Sequence, residues 1–187
     1  MSHGLDAHHA ESAASSRTVN LERRIGGAFR LVDDTGAPVT NVSYRGKYLL
    51  VFFGYAQCTD LCSVTLAQVG AALNILGAET ARIQALFVSL DSQRDTPAVL
   101  RKYVRQFHPS IVGLTGTKEE IAAIARKYRV SYAKVQRNDG GYDYSLDHSS
   151  FVYLMNPDGR YLAHFAGDSP RVMASKIAGM IKGNDSR

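Results

Sequence analysis

Apolar residues recur along this chain with two distinct periods. Leu49-Leu50-Val51-Phe52-Phe53 is apolar at every position, as a strand buried on both faces of a parallel sheet would be. Leu66, Val69, Leu73 and Leu76 then follow at helical spacing, with Gly77 as a stop. Ala85 to Leu90 is the next strand. Thr96-Pro97 gives an N-cap and first-turn proline for a second helix, with Val99, Tyr103 and Phe107 on one face. Thr117-Lys118-Glu119-Glu120 is a capping box opening a third helix that carries Ile121, Ile124, Ala125 and Tyr128. Ser169-Pro170 opens the last, which buries Met173, Ile177, Met180 and Ile181 and ends at Gly183.

Near the start of the patterned region, Phe29-Arg30-Leu31-Val32 with Asp33-Asp34-Thr35-Gly36 reads as a strand and turn, forming a hairpin. Short strands are expected at Ser131 to Val135, Tyr142 to Leu146, Phe151 to Met155 and Tyr161 to Phe165. Asn138-Asp139-Gly140-Gly141 and Asn156-Pro157-Asp158-Gly159 supply their turns. Alternating strands and helices followed by hairpins and a closing helix predict an α/β, thioredoxin-like fold. Its mixed central sheet is flanked by helices, with an N-terminal hairpin and an inserted hairpin. Residues 1–24 are rich in Ala, Ser, His and charge without an apolar period, so a disordered leader is expected there. Residues 25–187 form the domain.

Composition narrows the function classes. The 187 residues carry a net charge of +5, but no Lys/Arg block interleaved with aromatics, so a nucleic-acid partner is not expected. No stretch is expected to reach the ~20 apolar residues of a membrane span, and no signal-peptide core precedes the domain. The chain is therefore read as cytosolic or as lacking its targeting segment.

Chemistry concentrates in Gly54-Tyr55-Ala56-Gln57-Cys58-Thr59-Asp60-Leu61-Cys62, which holds both cysteines of the chain. The pair falls at a strand-to-helix turn. With Asp60 as N-cap, Cys62 would enter the first helical turn, where backbone N–H groups favour a thiolate. The spacing suits a reversible disulfide. A structural bridge closing so short a ring would contribute on the order of 2 kcal/mol, and inert buried thiols fit poorly with the polar residues between them. Two thiolates also attract soft ions, above all Cu(I), with Zn as competitor. A third ligand could come from His108, His148 or His164. His108 reads as a surface cap and His164 as a satisfied strand histidine. His148 lies in the polar loop Asp147-His148-Ser149-Ser150, and approaches Cys58 if the following strand runs antiparallel to Leu49–Phe53.

The segment from Phe53 to Cys62 resembles the Cys-x-x-x-Cys site of the Sco/SenC family of copper proteins. So do Val88-Ser89-Leu90-Asp91 with Arg94-Asp95-Thr96-Pro97, Phe107-His108-Pro109 with Gly113-Leu114-Thr115-Gly116-Thr117, and Asp147-His148-Ser149-Ser150-Phe151. The resemblance implies a thioredoxin-like fold and a copper site of Cys58, Cys62 and His148, holding Cu(I) or Cu(II). It implies a metallochaperone for the binuclear copper centre of cytochrome c oxidase, or alternatively a thiol-disulfide oxidoreductase acting on that centre's cysteines. Implied partners are the copper-centre subunit of the oxidase, a thioredoxin-like reductant and another copper chaperone as donor. The implied location is the periplasmic face of the inner membrane on an N-terminal anchor, or the mitochondrial intermembrane space. Thr59 and Ser63 stand where the family commonly has proline, which is expected to loosen the loop and add a hydroxyl near Cys62.

Overall fold

The computed structural model describes residues 25–58, 61–136, 144–148 and 150–186. The expected leader, the Asp60 cap and the Asn138–Gly141 turn lie outside the described residues. In chain order the elements begin with β1 (Arg30–Asp33), β2 (Pro38–Thr40), β3 (Tyr48–Gly54), α1 (Leu61–Leu76), β4 (Ile83–Ser89), α2 (Pro97–Val104) and β5 (Ile111–Thr115). They continue with α3 (Lys118–Lys127), β6 (Tyr132–Gln136), β7 (Tyr144–His148), β8 (Val152–Met155), β9 (Tyr161–Phe165) and α4 (Pro170–Asp185).

Seven strands form one sheet in the order β2-β1-β5-β4-β3-β8-β9. β3, β4 and β5 run parallel; β1–β2, β1–β5, β3–β8 and β8–β9 are antiparallel. β6 and β7 form a separate antiparallel pair. All seven residues of β3 are buried, and their alternation feeds two cores. Leu50 and Phe52 pack with Phe87 and with α1, α2 and α4 on one face. Leu49, Val51 and Phe53 pack with Leu86, Val88 and α3 on the other. The expected mixed sheet with helices on both sides is present, and both hairpins form.

The helix caps behave as their sequences require. Thr96, Thr117 and Ser169 each accept a backbone N–H of the first turn, and Thr117 with Glu120 completes a capping box. Some boundaries and faces differ. α2 buries Leu100 and Val104, while Val99 is exposed; Tyr103 and Phe107 only flank the core. α4 continues past Gly183 to Asp185, whose carboxylate meets Arg82 at 2.6 Å. Leu61–Arg82, which joins α1 to a short 3-10 turn, is long enough to cross a membrane and holds an 18-residue window apolar enough to do so. The expectation that no such stretch exists is thus corrected. In this fold one face of it, with Leu66, Val69 and Leu73, packs on the core, while Leu61, Val64 and Ile75 are exposed. The second strand of the inserted hairpin starts at Tyr144 and runs through His148, so His148 is a strand residue and not part of a loop.

Candidate metal centre

β3 delivers the chain to Gly54, a turn follows through Tyr55 to Cys58, and α1 starts at Leu61. The Cys58 N–H donates to the Tyr55 carbonyl at 3.1 Å, which folds the turn back on itself. Gly54 is required by close approach: a Cβ there would lie 2.8 Å from Cys62 Sγ and 2.9 Å from the Phe87 ring. Both cysteines are reduced thiols, Cys62 buried and Cys58 partly exposed.

The antiparallel register of β3 and β8 sets Val152 opposite Phe52. The residues just before β8 therefore lie beside the end of β3, as the antiparallel arrangement requires. His148, paired with Tyr132 across the β6–β7 ladder, reaches Cys62 Sγ with its Nε2 at 3.3 Å and also hydrogen-bonds Cys58. Phe52 and Tyr55 set their edges against its ring, with centroids 6.4 and 6.0 Å away. The donor atoms of Cys58, Cys62 and His148 all lie within 4.8 Å of one another. His108 and His164 stay apart from this group. His108 Nδ1 accepts the Ser110 N–H at 3.2 Å, a local turn contact; the helix itself is capped at Arg105, so the expected cap role of His108 is not what the structure shows. His164 is exposed on β9, with Nδ1 2.6 Å from the Tyr161 hydroxyl.

Charge in the pair is divided unequally. The hydrogen bond with the Cys62 thiol holds Cys58 well below the ordinary thiol range, against its own desolvation, and His148 and the Cys62 N–H act in the same direction. The Cys62 thiol is pushed up by that same bond to Cys58 and by burial. The sequence placed the helix-favoured thiolate at Cys62. The structure places it at Cys58, chiefly because the Cys62 thiol hydrogen-bonds to that sulfur, with His148 and the first-turn N–H adding to it, and because Cys62 is sealed in the core.

Around the thiols runs a polar network without an assigned role in the sequence reading. Asp95, only 1% exposed, accepts the Ala56 N–H at 2.9 Å and the Ser89 hydroxyl at 2.7 Å through Oδ2. Its Oδ1 is buried with no hydrogen-bond partner, and burial raises its pKa. The carboxylate thus fastens the cysteine turn to the loop after β4. Ser63 donates to the Cys58 carbonyl at 3.3 Å and lies 3.4 Å from the Tyr103 hydroxyl. Its hydroxyl ties the turn that a missing proline was expected to loosen. Asp91, Arg94 and Asp95 stand within a segment that carried the family resemblance, and Gly54 begins the cysteine segment. What assigns them work is which backbone they reach, a tertiary fact.

The donor set fits a soft ion. Bonds of about 2.0–2.3 Å to sulfur and nitrogen reach three donors this close after small side-chain movements, and two thiols with one imidazole match Cu(I) better than four-coordinate zinc. The SCO1/SenC family model matches residues 17–182. An SCO2-like protein of Rickettsia felis is 38% identical over 161 residues, covering 86% of this chain and 77% of that protein. Protein SCO1, mitochondrial, of Saccharomyces cerevisiae is 41% identical over 139 residues, 74% of this chain and 47% of that one. Arabidopsis thaliana ScoI, solved with copper bound, superposes with TM-score 0.80 at 34% identity over 85% of this chain and 99% of its own. The chain, thioredoxin-like in fold, belongs to the SCO1/SenC family.

Proposed function

We propose that this protein is a copper metallochaperone that holds Cu(I) through Cys58, Cys62 and His148 and passes it to the binuclear copper centre of cytochrome c oxidase. The observation that carries the reading is the convergence of one imidazole and two thiols from segments 86 residues apart. Copper bound to a relative supports the choice of metal. Cys58 is poised as a thiolate, and Cys62 gives up its proton when the metal replaces it, so loading releases one proton from the pair. Its partly exposed edge leaves Cys58 open to an incoming ligand of the recipient, and handover proceeds by ligand exchange. Oxidation of the ligating thiolate pair to a disulfide, with two electrons lost to an oxidant and the proton already released on loading, removes both thiolates and expels the ion. A thioredoxin-like reductant and a copper donor complete the cycle, which is assigned to the periplasmic face of the inner membrane.

Anaerobic Cu(I) titration of the reduced protein tests this. One equivalent should bind, none after thiol alkylation, and His148→Ala should weaken binding by more than about tenfold while the disulfide still forms. Unchanged affinity in that variant would remove His148 from the site.

The unequal charge division also favours a second reading, thiol-disulfide reduction. The Cys58 thiolate would attack a partner disulfide, forming a mixed disulfide, and Cys62, after losing its proton, would resolve it. The partner leaves as a dithiol, with the pair oxidised. Cys62→Ser should then trap the mixed disulfide with a disulfide-bonded copper-centre subunit. Copper transfer without any trapped species would favour the chaperone.

A further inference from the structure

The imidazole arrives on a hairpin that stands outside the main sheet. β6 and β7 form a two-stranded sheet outside the main one, and such a pair alone is marginal in water. Leu146 is its buried apolar anchor, packed in the core that holds Leu90 and Ile121, yet a pocket of about 70 Å³ remains between the hairpin and the body beside those residues. Apolar packing alone holds the hairpin incompletely.

Polar contacts take up the rest, and they gather at Tyr144, where β7 begins. Its hydroxyl donates to Asp91 Oδ1 at 2.8 Å. Arg94 donates to the Tyr144 carbonyl at 3.2 Å, lies over the ring at 3.8 Å and pairs through Nε with the other Asp91 oxygen. Lys134 of β6 covers the ring at 4.1 Å and donates to Gln93 at 2.7 Å. Tyr144 is thus gripped by charged groups of the loop after β4, the same loop that Asp95 ties to the cysteine turn. One loop holds both halves of the donor set.

We propose that Asp91, Arg94 and Tyr144 form a clasp that fixes the β6–β7 hairpin on the body and so sets how often His148 is presented to the two sulfurs. They are positioning residues, and their effect on copper rests on the ligand set proposed above. When the clasp opens, only the cysteines remain in place, and affinity falls by the fraction of time the imidazole is away.

Tyr144→Ala removes the grip, and Tyr144→Phe removes only its bond to Asp91. In the reduced, copper-free protein, amide hydrogen exchange should quicken at Leu146 and His148 in both variants, more in Ala, while Val51 and Phe52 stay protected. Cu(I) affinity measured against a chelator should drop about three- to tenfold in Tyr144→Ala. The drop should vanish when the same change is made in a His148→Ala background. An equal drop in both backgrounds, no drop in the first, or unchanged exchange at Leu146 and His148 would overturn the clasp. If His148→Ala alone binds copper as tightly as the parent, the ligand set fails instead. The exchange data then decide whether Tyr144 holds the hairpin.

Discussion

At Cys58 the surroundings do more than the residue type. An ordinary thiol has a pKa near ~8.5 and loses about a hundredfold in thiolate between pH 8 and pH 6. Cys58 is held lower by the Cys62 thiol, with His148 and the Cys62 N–H helping and burial opposing. A lowered value means that the thiolate persists as pH falls below the usual thiol range. Iodoacetamide should therefore label Cys58 ahead of Cys62, with rates at pH 8 and pH 6 agreeing within about threefold. Mass spectrometry of the labelled peptides, residue by residue, reads this out, and a steep ordinary profile at Cys58 would show the proton division to be wrong. The cysteine pair was legible in the sequence because thiols are rare and their spacing is local. The side on which the charge sits was not legible, since it depends on which sulfur receives the other thiol's hydrogen bond and which is sealed beneath Phe52, Phe87 and Leu66.

Among the elements, those with local signals came out as read. Capping chemistry acts within one turn, so Thr96, Thr117 and Ser169 mark their helices without help from the rest of the chain. Faces are set by neighbours instead, and α2 turns Leu100 and Val104 inward because β5 packs there; Gly113 leaves room for the Leu100 side chain at 2.7 Å from where its Cβ would stand. The expected strand Tyr142 to Leu146 included Tyr144 but stopped short of His148, a polar residue that a propensity argument leaves in a loop, whereas pairing with Tyr132 across the β6–β7 ladder puts it in strand. α3 offers a separation of stability from function. Thr117 caps it on the face opposite α1 and Cys62 and touches neither thiol, so Thr117→Ala should cost about 1 kcal/mol in urea unfolding and leave Cu(I) affinity within error. A loss of copper binding comparable to that of His148→Ala would mean that α3 supports the site directly.

For the whole molecule, the site is a junction between elements seated on opposite faces of the sheet. Cys62 begins the helix that packs one face of the sheet, whereas His148 ends a hairpin seated on the other side with Leu146. Between them lie 86 positions of chain. An ion held by all three donors exists only when β3, α1 and the hairpin are assembled, so binding free energy becomes folding free energy. A ligand that binds only the native state at one hundred times its dissociation constant stabilises by about 2.7 kcal/mol. For a domain of this size, that corresponds to an unfolding midpoint raised by roughly 5–10 °C. Copper should therefore lift the midpoint of the reduced protein, lift it less in His148→Ala, and leave the disulfide form unmoved, as monitored by circular dichroism under anaerobic conditions. The unfolded chain keeps both cysteines close in sequence and can retain copper through them, which reduces the shift contributed by the thiols. The part of the shift that depends on His148 is free of that discount, because only folding brings the ring to the sulfurs. Equal copper-induced shifts with and without His148 would mean that the metal joins no separate parts of the fold and is held by the cysteine turn alone.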